Sequence, residues 1–217
     1  MDHADWNYRP LLSAISRTRF RFAVKLLAAE RRPSRLLEIG YGSGVFMPEL
    51  ARHCEELYAI DIHGMNEIVG QSLADYGVTA HLFSGSATAL PFENEFFERV
   101  VAVSSLEFVT DLSAACTEIK RVLKPEGSLI VVTPGHSPIV DLGLKVLTGE
   151  SAKKDYGERR ESLMRTLLNH FEIERRLIAP ALGSSVVHLY TAMKLRARER
   201  AAAPAPRDFH PIAFPSS

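Results

Sequence analysis

The stretch "LLEIGYGSGVF", residues 36–46, concentrates the chemistry of this chain. An apolar run reaches Glu38 and then drops into Gly40, Gly42 and Gly44 on alternate positions, with Tyr41 between the first two. Glycines at the end of a strand admit positive φ and let a ligand approach the backbone more closely than a side chain permits. A tight strand-to-helix turn with no ligand uses them equally well, so the neighbouring residues decide. A dinucleotide fingerprint, Gly-x-Gly-x-x-Gly, fails in both registers, because it needs glycine where the chain has Val45 or Met47. That failure disfavours a nicotinamide oxidoreductase. The pattern present is Glu-x-Gly-x-Gly-x-Gly. A glutamate before such a turn repels a pyrophosphate and suits a ligand that bears an ammonium group. As an acid close to a helix start, it is also favoured by the helix dipole alone.

The elements that must position this turn follow from periodicity. Helical spacing over residues 9–30 ends at Pro33, and residues 36–39 read as a short buried strand. A helix over 45–57 follows the glycines, then a strand over 58–62 with Asp61 near its end. A helix over 66–76 is stopped by Gly77, and residues 79–83 read as a third strand. Residues 100–103 are apolar on both faces and form a fourth. Asp111 is placed to cap a helix running to residue 123, "KPEG" turns the chain, and residues 129–133 form a fifth strand. Continuous apolar strands alternating with helices imply a parallel sheet covered on both faces. Residues 137–170 give two helical stretches, and strands over 171–178 and 186–194, with no helix between them, pair antiparallel.

Composition bounds the partners. With 217 residues, the chain is long enough for one sizeable α/β domain. Its formal net charge is zero, so no global field draws nucleic acid or anionic lipid, and no nucleic-acid partner is expected. Residues 1–35 hold eight Arg and Lys against three acids, which reads as a solvated helix face or as a docking face for an anionic partner. Cys54 and Cys116 lack metal or redox spacing and read as small buried apolar residues; no metal is expected. No apolar run approaches the roughly 18 residues of a membrane span, and the start lacks an apolar signal core, so a cytoplasmic location is the expectation. Prolines and alanines mark residues 198–217 as a tail expected to be disordered.

Taken together, the motifs resemble those of the class I S-adenosylmethionine-dependent methyltransferases, in the broad small-molecule (type 11-like) group. Residues 36–46 resemble the family's first motif. Asp61 stands about 20 residues beyond the glycines, where the family, like dinucleotide folds, uses an acid on the ribose hydroxyls. "SGSATALPFENEFFERVVAV" resembles the segment after the third strand, and "SSLEFVTDLSAACTEIKRVLKPEGSLIVVTP" the fourth strand, next helix and fifth strand. The resemblance covers residues 36–134. It implies an α/β fold: a doubly wound, Rossmann-like seven-stranded sheet, mostly parallel with an antiparallel last strand. The domain would span residues 36–197, after an N-terminal helical lid segment over 1–35.

The resemblance also implies roles. S-adenosyl-L-methionine would be the cofactor. Glu38 would meet its ammonium, Gly40, Tyr41, Gly42 and Gly44 would offer backbone to the methionine portion, and Asp61 would hold the ribose. Ile62 would cover one face of the adenine, Ser86 and Ala87 would flank its edge, and Ser104 would end near the sulfonium. Two positions depart from the family: Ser86 stands where Asp is common, and Phe108 where His is common. Methyl transfer is an in-line displacement that positioning can drive, and a general base is needed only for a protonated nucleophile. Glu107 and His136, at strand ends, are the candidates, each also readable as an ordinary rim or loop residue. The acceptor pocket would be built from Trp6, Tyr8 and residues 136–147, rich in Val, Leu and Ile, which points to a small, partly apolar acceptor methylated on oxygen or nitrogen. A cofactor-binding regulatory or scaffold protein of the same fold is the alternative. Neither the oligomeric state nor the acceptor's identity is written in the sequence.

Overall fold

The computed structural model describes residues 10–29, 31–134, 153–180 and 188–198. Helix α1 (Pro10–Leu27) leads into β1 (Arg35–Ile39), α2 (Met47–Ala51), β2 (Glu56–Asp61), α3 (Asn66–Asp75), β3 (His81–Ser84) and β4 (Phe97–Val103). A 3-10 turn (Leu106–Phe108) precedes α4 (Leu112–Val122) and β5 (Leu123–Pro134). Helix α5 (Lys153–His170), β6 (Phe171–Pro180) and β7 (His188–Ala197) complete the described chain. The strands form one seven-stranded sheet in the order β3-β2-β1-β4-β5-β7-β6. β1 to β5 are mutually parallel, and β7 runs antiparallel between β5 and β6. The doubly wound sheet with an inserted antiparallel last strand is therefore present.

Successive side chains of a strand point to opposite faces, so buried central strands must be covered twice. Leu37, Ile39, Val100, Ala102, Leu129 and Val131 form one core with Ala115 and Ile119 of α4 and Leu163 and Leu167 of α5. Leu36, Val101, Ile130 and Val132 form the other with Ala23, Leu26 and Leu27 of α1, Met47 and Leu50 of α2, and Val69 and Leu73 of α3. The latter half of α1 is thus part of the core that covers the sheet.

Several element limits differ from the sequence reading. The helix expected over 45–57 shortens to five residues, because Leu57 pairs with Leu36 in the β-ladder and is buried there. Strand β4 starts at Phe97 and β5 at Leu123; these two residues pair ahead of a register shift, and the "KPEG" segment stays within the strand. Glu98 holds that region, accepting from the Arg35 amide at 2.7 Å and pairing with Lys124. Asp111 does cap α4, accepting from the Ala114 amide at 2.9 Å.

Candidate functional site

β1 pairs with β2 on one side and β4 on the other, so the strand order reverses beside β1. Ligands of such sheets bind outside the carboxyl ends of the strands at that reversal. The glycine turn lies there. Gly40, Gly42 and Gly44 all have positive φ, of 78°, 53° and 74°. Their surroundings differ. A Cβ on Gly40 would stand 2.4 Å from Ser105 Cβ, and one on Gly44 would stand 2.6 Å from Val69 Cγ1. These two are glycine because the protein packs against them. Gly42 alone of the three faces open space, with no atom within 4 Å of a built Cβ.

Asp61 braces the turn from the end of β2. One carboxylate oxygen accepts from the Gly42 amide at 2.8 Å and the other from the Ile62 amide at 2.7 Å. His63 Nε2 donates to the Gly42 carbonyl at 2.8 Å, and its ring meets that of Tyr41 edge-on. Tyr41 is buried and its hydroxyl donates to Asn66 Oδ1 at 2.7 Å. On the far side, Ser105 Oγ donates to the Ile39 carbonyl at 2.7 Å and ties β1 to the chain leaving β4. Ile62 is 84% exposed, an apolar side chain left in the open next to Asp61. Ser86 Oγ lies 2.8 Å from Thr88 Oγ1, and the Ala87 side chain is packed in the core. Ser104 takes a positive φ of 52° directly after β4, strain that a non-glycine residue bears only where its surroundings impose it.

Unsatisfied buried groups mark the same place. Among the described residues, Arg19 Nε, Glu38 Oε2, Ser104 Oγ and Glu107 Oε2 are buried without a hydrogen-bond partner; Ser128 Oγ is the fifth such atom. Such groups are rare and costly unless something else meets them. Burial, with repulsion from Asp61, lifts the Glu38 carboxyl to about 8, against a lowering by Arg19. Burial lifts Glu107, in the 3-10 turn after β4, to about 7, against hydrogen bonding to its own backbone and the charges of Arg160 and Arg19. A carboxyl that titrates near neutrality is suited to take a proton. No group of three or more potential metal ligands occurs among the described residues.

Of the residues singled out in the sequence, Glu38, the three glycines, Tyr41, Asp61, Ile62, Ser104 and Glu107 lie at or just beyond the carboxyl ends of β1, β2 and β4, with Ser86 and Ala87 in the turn after β3. His136, Trp6, Tyr8, residues 137–147 and the tail beyond residue 198 lie outside the described residues. Sequence reading missed Ser105, His63 in its turn-bracing role, and Arg19. Only the crowding at Gly40, invisible without the fold, marks Ser105.

The sheet order, the inserted antiparallel β7 and the glycine turn after β1 define the class I methyltransferase fold. Residues 37–131 match the family model described as "Methyltransferase domain". The chain is similar to a demethylmenaquinone methyltransferase of Roseiflexus castenholzii, at 31% identity over 57% of this chain and 53% of that protein. It is also similar to a ubiquinone/menaquinone biosynthesis C-methyltransferase of Bordetella avium, at 33% identity over 48% of this chain and 43% of that one. It spans about half the length of these curated relatives. Among solved structures, the N-methyltransferase NodS of Bradyrhizobium japonicum, in complex with S-adenosyl-L-homocysteine, superposes with a TM-score of 0.64 at 19% identity, covering 85% of this chain and 88% of that one. No helix of the described residues is long and apolar enough to cross a membrane.

Proposed function

We propose that the chain is an S-adenosylmethionine-dependent methyltransferase that moves a methyl group to an oxygen or nitrogen of a small, partly apolar molecule. The observation that carries the cofactor half is Glu38 Oε2, buried with no partner among the described residues, beside a glycine turn whose Gly42 opens on empty space. A buried lone acceptor fits a cationic ammonium. Asp61 fits a ribose as well: each of its oxygens accepts one backbone amide and keeps a further lone pair for a hydroxyl. Ile62, bare and apolar beside it, offers a face for an adenine ring.

When bound, S-adenosylmethionine supplies a methyl group on a sulfonium leaving group. Glu38 and the turn would hold the methionine portion, and Asp61 the ribose. Ser104, at the end of β4, would border the reacting side, and Glu107, three residues on, would take a proton from a hydroxyl or protonated amine. His136 is the second candidate for that proton. The acceptor pocket is assigned to Trp6, Tyr8 and residues 136–147, a small molecule being the partner and nucleic acid not. The similarity to a relative named as a C-methyltransferase makes carbon the competing acceptor atom.

Calorimetry with S-adenosylhomocysteine and with NAD tests the cofactor. Losing hydrogen bonds to a charged acceptor costs about 1.5–3 kcal/mol. Asp61→Ala should therefore weaken S-adenosylhomocysteine binding by about ten- to a hundredfold; unchanged affinity would remove Asp61 from the ribose. Labelled methyl donor incubated with metabolite extracts tests the acceptor. A product methylated on carbon overturns the oxygen-or-nitrogen half, and binding with no methylated product favours a regulatory or scaffold role.

A further inference from the structure

Arg19 is the one unsatisfied group of the site that the cofactor reading leaves without work. Its Nε is buried with no hydrogen-bond partner among the described residues. Its position is set by packing. The guanidinium carbon lies 4.9 Å from the centroid of the Phe20 ring, and Phe20 stacks on Phe46 with centroids 4.3 Å apart and planes 6° from parallel. Phe46 closes the glycine turn at the start of α2. The aromatic pair therefore pins α1 to the turn. Glu38 faces the same way: Leu36, two residues before it on β1, packs in the core that α1 covers, and alternate residues of a strand share a face. The Arg19 charge acts on Glu38 and also on Glu107 and Tyr190, yet no salt bridge joins it to either carboxylate.

We propose that Arg19 of α1 binds the carboxylate of the cofactor's methionine end, completing with Glu38 a clamp for its paired opposite charges. The proposal rests on the S-adenosylmethionine reading above and adds a residue to it. A methionine end carries an ammonium and a carboxylate on one carbon, so a site that accepts both needs an acid and a base held close without neutralising each other. Glu38 and Arg19 are such a pair, one from the sheet and one from the helix above it. A guanidinium suits the second task because its planar fork meets a carboxylate with two parallel bonds. The arrangement also makes α1 part of the cofactor site, although no motif in its sequence announces that.

The test compares two ligands by calorimetry: S-adenosylhomocysteine and its decarboxylated analogue, which keeps the ammonium and loses the carboxylate. Arg19→Gln should weaken the first by about ten- to a hundredfold and leave the second within about twofold. The unchanged analogue also shows that the variant is folded with an intact site. An equal loss for both ligands, or no loss for either, overturns the inference while leaving the cofactor reading standing. Wild-type protein that binds neither ligand overturns both.

Discussion

Glu38 carries two opposed demands. As a buried acid it is best protonated, and as a partner for an ammonium it must be ionised. Its carboxyl is raised from 4.5 to about 8, chiefly by burial and then by Asp61. Between those values the folded chain holds a proton that the unfolded chain has released. Stability without ligand therefore falls as pH rises through that interval and levels off above about pH 8. At about 1.4 kcal/mol per pKa unit, the effect is on the order of several kcal/mol. Glu107 adds to the same slope up to about pH 7. Glu38→Gln should melt at a higher temperature than wild type at pH 8.5 by an amount that shrinks toward pH 5, at about 2–4 °C per kcal/mol for a chain this long. Wild type should gain S-adenosylhomocysteine affinity between pH 6 and 8 as Glu38 ionises, and the same variant should lose that gain. A stability difference independent of pH would mean that Glu38 is not the group that titrates.

At the scale of the element, the strand-turn-helix unit separates two uses of glycine. Gly40 and Gly42 both sit at positive φ, so alanine at either position pays for a left-handed backbone. Only alanine at Gly40 also drives a Cβ to 2.4 Å from Ser105 Cβ. That contact would part the chain leaving β4 from β1 and strain the Ser105 bond to the Ile39 carbonyl. Overpacking of this kind costs about 1–3 kcal/mol beyond the backbone term. Gly40→Ala should therefore lower the denaturation midpoint clearly more than Gly42→Ala, with urea unfolding as the measure. Gly42→Ala should instead reduce cofactor affinity, since its new Cβ projects into the open side of the turn. Equal destabilisation by the two would show that Ser105 yields easily.

Across the whole molecule, burial is graded. β1, β4 and β5 lie in the interior of the sheet with core on both faces, whereas β6 is an edge strand whose residues 172–176 are exposed. Amide exchange should be slowest in β1, β4 and β5 and much faster in β6, because local opening of an edge exposes little apolar surface; comparable protection throughout would contradict that ordering. The sequence by itself determined the alternation of strands and helices, the antiparallel final pair, the glycine turn and the Asp111 cap. Each of these is local: a period, a turn residue or a cap is written within a few positions. Element limits at Leu57, Phe97 and Leu123 came from ladder pairing with distant strands, which outweighs local propensity. Tertiary structure alone decided that Gly40 and Gly44 serve packing while Gly42 faces open space, that Ser105 fastens β1, and that Arg19 comes to the turn. These depend on which groups meet across 25 to 66 positions of chain, and a close approach of that kind leaves no periodic trace in the order of residues.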